Sequence, residues 1–258
     1  MTGITTMTEQ DIRIEFLSRI NRLAPIMPQY EAVLEAMYRR ILQPGQTVYD
    51  IGCHAGRHAR PFLELVGAGG RVIGFEPIPD MARALRQLAA EAPGFTLFET
   101  ALSNHTGRTP FVYAEGTPEE SGLIERRFNQ PDMARARQIE VTVDRLDDLA
   151  AREALPDPDY VKLDVEGAEL DVLAGARATM ARARPIVSVE YGAPGYAPYG
   201  HKAEDLWHFA EAEGFAVFDL FGYRLPTLAA WLSECDRGLW DWFMVPLERA
   251  EATEAAWR

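Results

Sequence analysis

The sequence predicts an α/β fold in which a doubly wound sheet of seven mostly parallel strands closes with an antiparallel hairpin. Three observations carry that prediction. Short apolar runs alternate with amphipathic helical stretches through most of the chain. The run 48–51 breaks into a turn with two glycines four residues apart, Gly52 and Gly56, and after one crossover a second apolar run, 72–75, stops at Glu76. Near the C-terminus, extended runs at 214–220 and 239–246 supply the hairpin.

Taken in order, the elements begin with two amphipathic helices near 8–22 and 28–42, separated from the first strand by Pro44-Gly45. Strands are predicted near 47–51, 71–75, 95–99, 159–163, 185–190, 214–220 and 239–246. Helices are predicted around 58–67, 79–92, 167–181 and 202–213. Pro61 falls in the first turn of its helix, where its missing N–H costs nothing. Between the third and fourth strands, Thr109–Tyr113 and Ile139–Val143 have the alternation of an inserted hairpin. Its tip, Glu115 to Ala136, contains Gly116, Pro118, Gly122 and Pro131 among many charges and reads as a mobile substrate loop. The segment 191–200, rich in Gly, Pro and Tyr, reads as too irregular for an element.

Composition narrows the partners. A chain of 258 residues with 47% hydrophobic content buries one sizeable core. Lys and Arg total 26 against 39 Asp and Glu, a net charge of −13 that opposes polyanions. A nucleic-acid acceptor is therefore disfavoured: Arg126, Arg127, Arg135 and Arg137 are too few and too spread to form a footprint. No stretch has the length and apolarity of a membrane span, and the N-terminal residues lack the apolar core of a signal peptide. With only Cys53 and Cys235 available, a reduced, cytoplasmic setting is expected. No Cys and His cluster has zinc spacing. His58, His105 and His208 read as structural, and Trp231, Trp240 and Trp242 as aromatic core.

The first turn points to a nucleoside cofactor. Glycines permit close backbone approach, and an acidic residue about twenty positions further on, Glu76, is placed to accept both hydrogen bonds of a ribose diol. A pyrophosphate site needs G-x-G-x-x-G at a helix N-terminus. Here Gly52 is followed by Cys53, His54 and Ala55, and Asp50 would repel a pyrophosphate, which disfavours an NAD-dependent oxidoreductase. That carboxylate suits a cofactor with an ammonium and a sulfonium, as S-adenosylmethionine has. The order D-x-G-x-x-x-G resembles the first motif of class I methyltransferases, and Glu76 resembles the ribose-binding end of their second strand. His54 stands where that loop most commonly has Gly; histidine is among the non-glycine residues enriched at positive φ.

The segment Asp159-Tyr160-Val161-Lys162-Leu163-Asp164-Val165-Glu166-Gly167-Ala168-Glu169 resembles the FkbM family of methyltransferases, whose fourth strand runs K-x-D-x-E-G-x-E. Val141 to Leu149, Ala101-Leu102-Ser103 and Arg184 to Glu190 match the same family in the same order, over roughly residues 45 to 247. The resemblance implies a Rossmann-like methyltransferase domain over 45–258, with an insertion at about 105–145, preceded by a helical cap over 1–44. It implies S-adenosyl-L-methionine as cofactor, held by Asp50, Gly52, His54, Gly56, Glu76, Pro77, Ala101 and Asp164. The implied chemistry is O-methylation of a sugar-containing or secondary-metabolite hydroxyl, a small-molecule or glycan acceptor. An RNA or small-amine methyltransferase and a noncatalytic cofactor-binding module are the alternatives.

Independently of the resemblance, a strand period of two puts Lys162, Asp164 and Glu166 on one side. Asp164 and Glu190 end neighbouring strands at the carboxyl edge, where open α/β sheets bind ligands. The two carboxylates are candidates either to act as base toward a hydroxyl or to ligate Mg²⁺. His201, beside the tyrosine-rich segment, is the third catalytic candidate. Glu169, in a helix's first turn, reads as a cap.

Overall fold

The computed structural model describes residues 30–129 and 131–258. The expected helix at 8–22 lies outside the described residues; the second, expected at 28–42, is the helix Tyr30–Tyr38. The main sheet contains β1 (Thr47–Ile51), β2 (Arg71–Phe75), β3 (Phe95–Phe98), β7 (Tyr160–Leu163), β8 (Ile186–Glu190), β9 (Phe215–Asp219) and β10 (Asp241–Pro246). Its order is β3-β2-β1-β7-β8-β10-β9. The first five run parallel, and β10 is antiparallel to both β8 and β9. This is the expected Rossmann-like doubly wound sheet with its terminal hairpin.

The strands are predominantly apolar because both faces are covered, as a parallel sheet requires. Period-two alternation divides each central strand between two cores. Tyr49, Ile51, Val161, Leu163, Val187 and Val189 join one cluster; Val48, Val72, Tyr160 and Ile186 join the other, beneath the helices Tyr30–Tyr38 and Ala59–Val66. On that second face Asp50, Lys162 and Ser188 are register neighbours, forming a polar seam across β1, β7 and β8.

The insertion is a smaller sheet of β4 (Ala101–Leu102), β5 (Gly107–Ala114) and β6 (Ala136–Asp144), in the order β4-β6-β5. The expected hairpin is there, with Thr109 opposite Val141 and Phe111 opposite Ile139. Its apolar face, Phe111, Tyr113, Val141 and Val143, packs on Ile78 and Ala101 and so sits at the carboxyl edge of the main sheet.

Three expectations need correction. The helix predicted over 167–181 is two, Glu169–Gly175 and Arg177–Ala183. The break follows Gly175, where a Cβ would fall 2.1 Å from the Ser103 carbonyl oxygen; glycine admits β4 there and is a poor helix former. The segment predicted to be irregular contains the short helices Ala193–Tyr196 and Ala197–Tyr199, each with Pro in its first turn. Finally, Trp231 and Trp242 are core residues 4.2 Å apart, but Trp240 is 37% exposed and lies outside the core.

Candidate active site at the carboxyl edge of the sheet

The ends of β1, β2 and β7, with β4 and β5 above them, enclose a cavity of about 350 Å³, within the range of roughly 300–1,000 Å³ for small-molecule sites. Asp50 enters it from β1. The side chain is 0% exposed, and neither carboxylate oxygen has a hydrogen-bond partner. Burial, opposed by Lys162 and reinforced by Asp164, pushes this carboxyl up to about 6. An orphaned buried carboxylate carries a free-energy cost unless a donor or cation meets it.

The turn after β1 is shaped by the protein's own contacts. Gly52 has φ +79°, and a Cβ there would lie 1.8 Å from the Asp164 carbonyl oxygen. Gly56, at φ +84°, would press a Cβ on Leu85 and does not line the cavity. The expected close approach is therefore made by β7 and a helix, which force the loop geometry. His54 adopts φ +47°, the positive value expected of its position. Its backbone N donates to Glu76 Oε2 at 2.8 Å. The half-buried ring lines the cavity with Nε2 unpartnered, and burial keeps its imidazole below the usual value, hence neutral.

Glu76 ends β2 and is buried. Its Oε1 accepts from Ile78 N at 2.8 Å. Each oxygen thus fastens one backbone N–H and keeps a lone pair for another donor. Burial pushes the carboxyl up to about 7, although both hydrogen bonds oppose the shift. Beside it, Pro77, Ile78, Ala101, Phe111 and Leu123 give the cavity an apolar end.

Asp164, at the end of β7, accepts from Lys162 Nζ at 2.8 Å. Burial works against its charge, but Lys162, by charge and hydrogen bond, and a hydrogen bond from Glu190 outweigh it and hold the carboxyl below the usual range. Glu190 moves the opposite way, raised first by the charge of Asp164 and then by burial. The two expected carboxylates do converge, with the charged form favoured at Asp164 and disfavoured at Glu190. Glu190 does not line the larger cavity; it faces an adjoining one, which Asp164 also lines. Lys162 stands as the cation among these acids. Among the described residues, no group of three or more His, Cys, Asp or Glu is arranged to hold a metal ion.

Glu166 departs from the strand period, with φ +60°. It pairs with Arg126 of the inserted segment. That segment folds down rather than projecting outward. Pro118, Glu119, Ser121 and Leu123 line the cavity, Gly122 pairs with Val112, and Ile124 N donates to Tyr199 Oη at 3.2 Å. Glu169 caps the turn before it, accepting from Val165 N and Gly167 N. His201 lines none of the cavities described above. His58, read as structural, does bond Tyr38 at 3.1 Å, yet it also lines both cavities. The roles of His58, Arg126 and Leu123 had no local signal, because only the folded insertion and the helix Tyr30–Tyr38 bring them to the site.

Comparison with known proteins agrees with this construction. The profile of the Methyltransferase FkbM domain family matches residues 50–224. The 2-O-methyltransferase NoeI of Sinorhizobium fredii is 29% identical over 205 residues, covering 73% of this chain and 79% of that protein. A crystal structure of the methyltransferase FkbM from Methylobacillus flagellatus aligns with TM-score 0.48 and 16% identity, covering 91% of this chain and 59% of that one. A methyltransferase structure from Geobacter sulfurreducens aligns with TM-score 0.45 and 15% identity, covering 93% and 91%. With its family profile spanning the cavity from Asp50 past Glu190, this chain belongs to the FkbM methyltransferase family.

Proposed function

We propose that this protein is an S-adenosylmethionine-dependent O-methyltransferase acting on a hydroxyl of a sugar-containing or secondary-metabolite acceptor. The observation that carries the cofactor reading is the unpartnered Asp50 carboxylate, buried in a cavity whose other wall is Glu76. S-adenosylmethionine fits these residues: its ammonium and sulfonium match Asp50, its ribose diol the free lone pairs of Glu76, and its base the apolar end at Ile78, Ala101 and Phe111. When bound, it supplies an electrophilic methyl group.

The chain's own task is to position the acceptor, exclude water and take a proton. Proximity and orientation provide most of such a rate enhancement. The acceptor hydroxyl becomes acidic only as its oxygen bonds to carbon, so a weak proton acceptor suffices. Asp164 is ionised at the junction of the two cavities and fills this role in the proposal, with Glu190 and Lys162 fixing its orientation. The 2-O-methyltransferase activity in the name of the Sinorhizobium relative supports oxygen as the acceptor atom. Against a nucleic-acid acceptor stand the net charge of −13 and the pairing of Arg126 with Glu166 and Arg137 with Glu115.

Calorimetry with S-adenosylhomocysteine tests the cofactor reading, and transfer of labelled methyl to glycans, polyketides, amines and RNA tests the acceptor. Binding of NAD without S-adenosylhomocysteine would sink the first; labelling of RNA or amines alone would sink the second.

A further inference from the structure

A second cavity, of about 210 Å³, adjoins the first. The two share Glu31, His58, Lys162 and Asp164. Its far side is formed by Glu190, Trp240 and Asp241, from the ends of β8 and the start of β10. The register Asp241 opposite Glu190 puts these acids side by side.

Trp240 is held in place deliberately by the backbone around it. Tyr191 N donates to its carbonyl at 2.6 Å. A Cβ on Gly192 would lie 2.5–2.7 Å from three atoms of the indole, so the ring rests on a residue that has no side chain. The ring remains 37% exposed and borders both this cavity and a small cleft running to Arg126. At the cavity's inner end His58 is 4% exposed, with Nδ1 on Tyr38 Oη and Nε2 without a partner. Burial first, then Lys162 and Arg57, push that imidazole down to about 3, so it stays neutral.

We infer that this cavity is the acceptor subsite, and that it takes an uncharged glycosyl unit with one face on Trp240, its hydroxyls on Glu190, Asp241 and His58, and the reacting hydroxyl toward Asp164. The inference rests on the methyltransferase reading above. An aromatic face and a set of groups that both donate and accept match a sugar ring, which has apolar C–H faces and a hydroxyl rim. Burial and the nearby charge of Asp164 push Asp241 up to about 7, and Glu190 is raised as well. Carboxyls raised in this way can donate to hydroxyls as well as accept, whereas an anionic sugar would find the nearby cations, Lys162 and Arg57, already paired with Asp164 and Glu31. An ammonium would require both acids to ionise beside Asp164.

The experiment uses the full chain, saturated with S-adenosylhomocysteine for binding and supplied instead with labelled S-adenosylmethionine for turnover. Saturation-transfer NMR and labelled-methyl turnover are measured on neutral methyl glycosides and oligosaccharides, the matching 2-amino sugars and the matching uronates. Neutral members should bind and be methylated. Trp240→Ala should lower kcat/KM by about 10- to 100-fold, chiefly through KM, with S-adenosylhomocysteine affinity unchanged, and Trp240→Phe should recover part of the loss. Asp241→Asn, which keeps a donor and an acceptor, should retain most binding. Tighter binding of the amino sugars or uronates, wild-type behaviour of Trp240→Ala, or no glycoside binding by a protein that does bind S-adenosylhomocysteine each overturns the subsite and leaves the cofactor reading intact. Failure to bind S-adenosylhomocysteine overturns both.

Discussion

Lys162 Nζ donates to Asp164 Oδ2 over 2.8 Å, two residues apart on the same strand end, and so supplies positive charge beside Asp164, Asp50 and Glu190. Burial disfavours the ammonium, but Asp164 and Asp50 more than restore it, and Glu190 adds to the effect. Removing one partner from a buried pair leaves an uncompensated charge and costs about 3–5 kcal/mol. Lys162→Met keeps the apolar stem and should lower stability to urea by about that amount. The loss should grow from pH 5 to pH 8, as Asp50 and Asp164 ionise together without their cation. A pH-independent loss below about 1 kcal/mol, the scale of an exposed pair, would show that Lys162 merely lies near these groups.

Asp164→Asn is nearly isosteric and should leave the fold and cofactor affinity largely intact while lowering turnover by about 10²-fold or more. Glu190→Gln should behave similarly, because the amide can still donate to Asp164 but can neither take up a proton nor ligate a metal as a carboxylate does. EDTA treatment of the wild type separates a base from a metal ligand: activity lost to EDTA and restored by Mg²⁺ identifies the metal-dependent form. Full turnover in Asp164→Asn would transfer the proton-accepting role to His54, which lines the cavity with a free Nε2.

The parts of this molecule readable in the sequence are those in which a single local pattern has one physical use. β1 and β7 are largely apolar, interrupted only by Asp50 and Lys162 and the leading Thr47, because both their faces are covered, and the order Asp50, Gly52, Gly56, Glu76 follows from strand-turn-helix geometry. What the glycines are for was not readable. The neighbours they admit, Asp164 and Leu85, come from elements more than twenty residues away. Trp240 carries the same lesson, since its residue type and spacing match Trp242, yet it lies one residue before the pairing of β10 with β8 begins and rests on Gly192 outside the core. Likewise, nothing local in the Arg126 segment specifies Glu166 as its partner.

Glu76→Ala should weaken S-adenosylhomocysteine binding by roughly 10- to 100-fold, the equivalent of one charged hydrogen bond at about 1.5–3 kcal/mol. The structure adds a second consequence. His54 N and Ile78 N lose their acceptor together, so the loop after β1 should loosen even without ligand. Calorimetry reads the first effect and amide exchange at His54 and Ile78 the second. Unchanged affinity would remove Glu76 from the binding site.

The pH dependence of the free protein follows from raised acids. Glu76, Glu169 and Asp241 are pushed up to about 7 and Asp50 to about 6, from ordinary values of 4.5 for Glu and 3.8 for Asp. Between pH 4 and 7 the folded state therefore binds more protons than the unfolded state, and stability falls as pH rises through that window. S-adenosylhomocysteine donates to Asp50 and Glu76 and favours their ionised forms, so its affinity should increase from pH 5 to about 7 with release of protons. Urea midpoints across this range, and calorimetry in buffers of differing ionisation enthalpy, measure both. Stability that rises over the same window, or binding without proton release, contradicts the assignment.

The inserted segment should act as a lid whose closure depends on Arg126. Beyond its internal hydrogen bonds, its tip is held to neighbouring elements principally by Arg126 to Glu166, Ile124 to Tyr199 and Gly122 to Val112, while Glu119, Ser121 and Leu123 face the cavity. Segments with few buried apolar contacts open at low free energy, and ligand contacts from Ser121 and Leu123 would add to the closed state alone. Amide exchange for residues near 115 to 135 should thus be fast in the free protein and slow when cofactor product and acceptor bind together. Arg126→Met removes the charge but keeps apolar length. It should speed exchange in the free protein several-fold and raise KM for the acceptor more than it lowers kcat, since closure is then driven by ligand contacts alone. Equal exchange in free and ternary states, with Arg126→Met indistinguishable from wild type, would make the segment a static wall of the cavity.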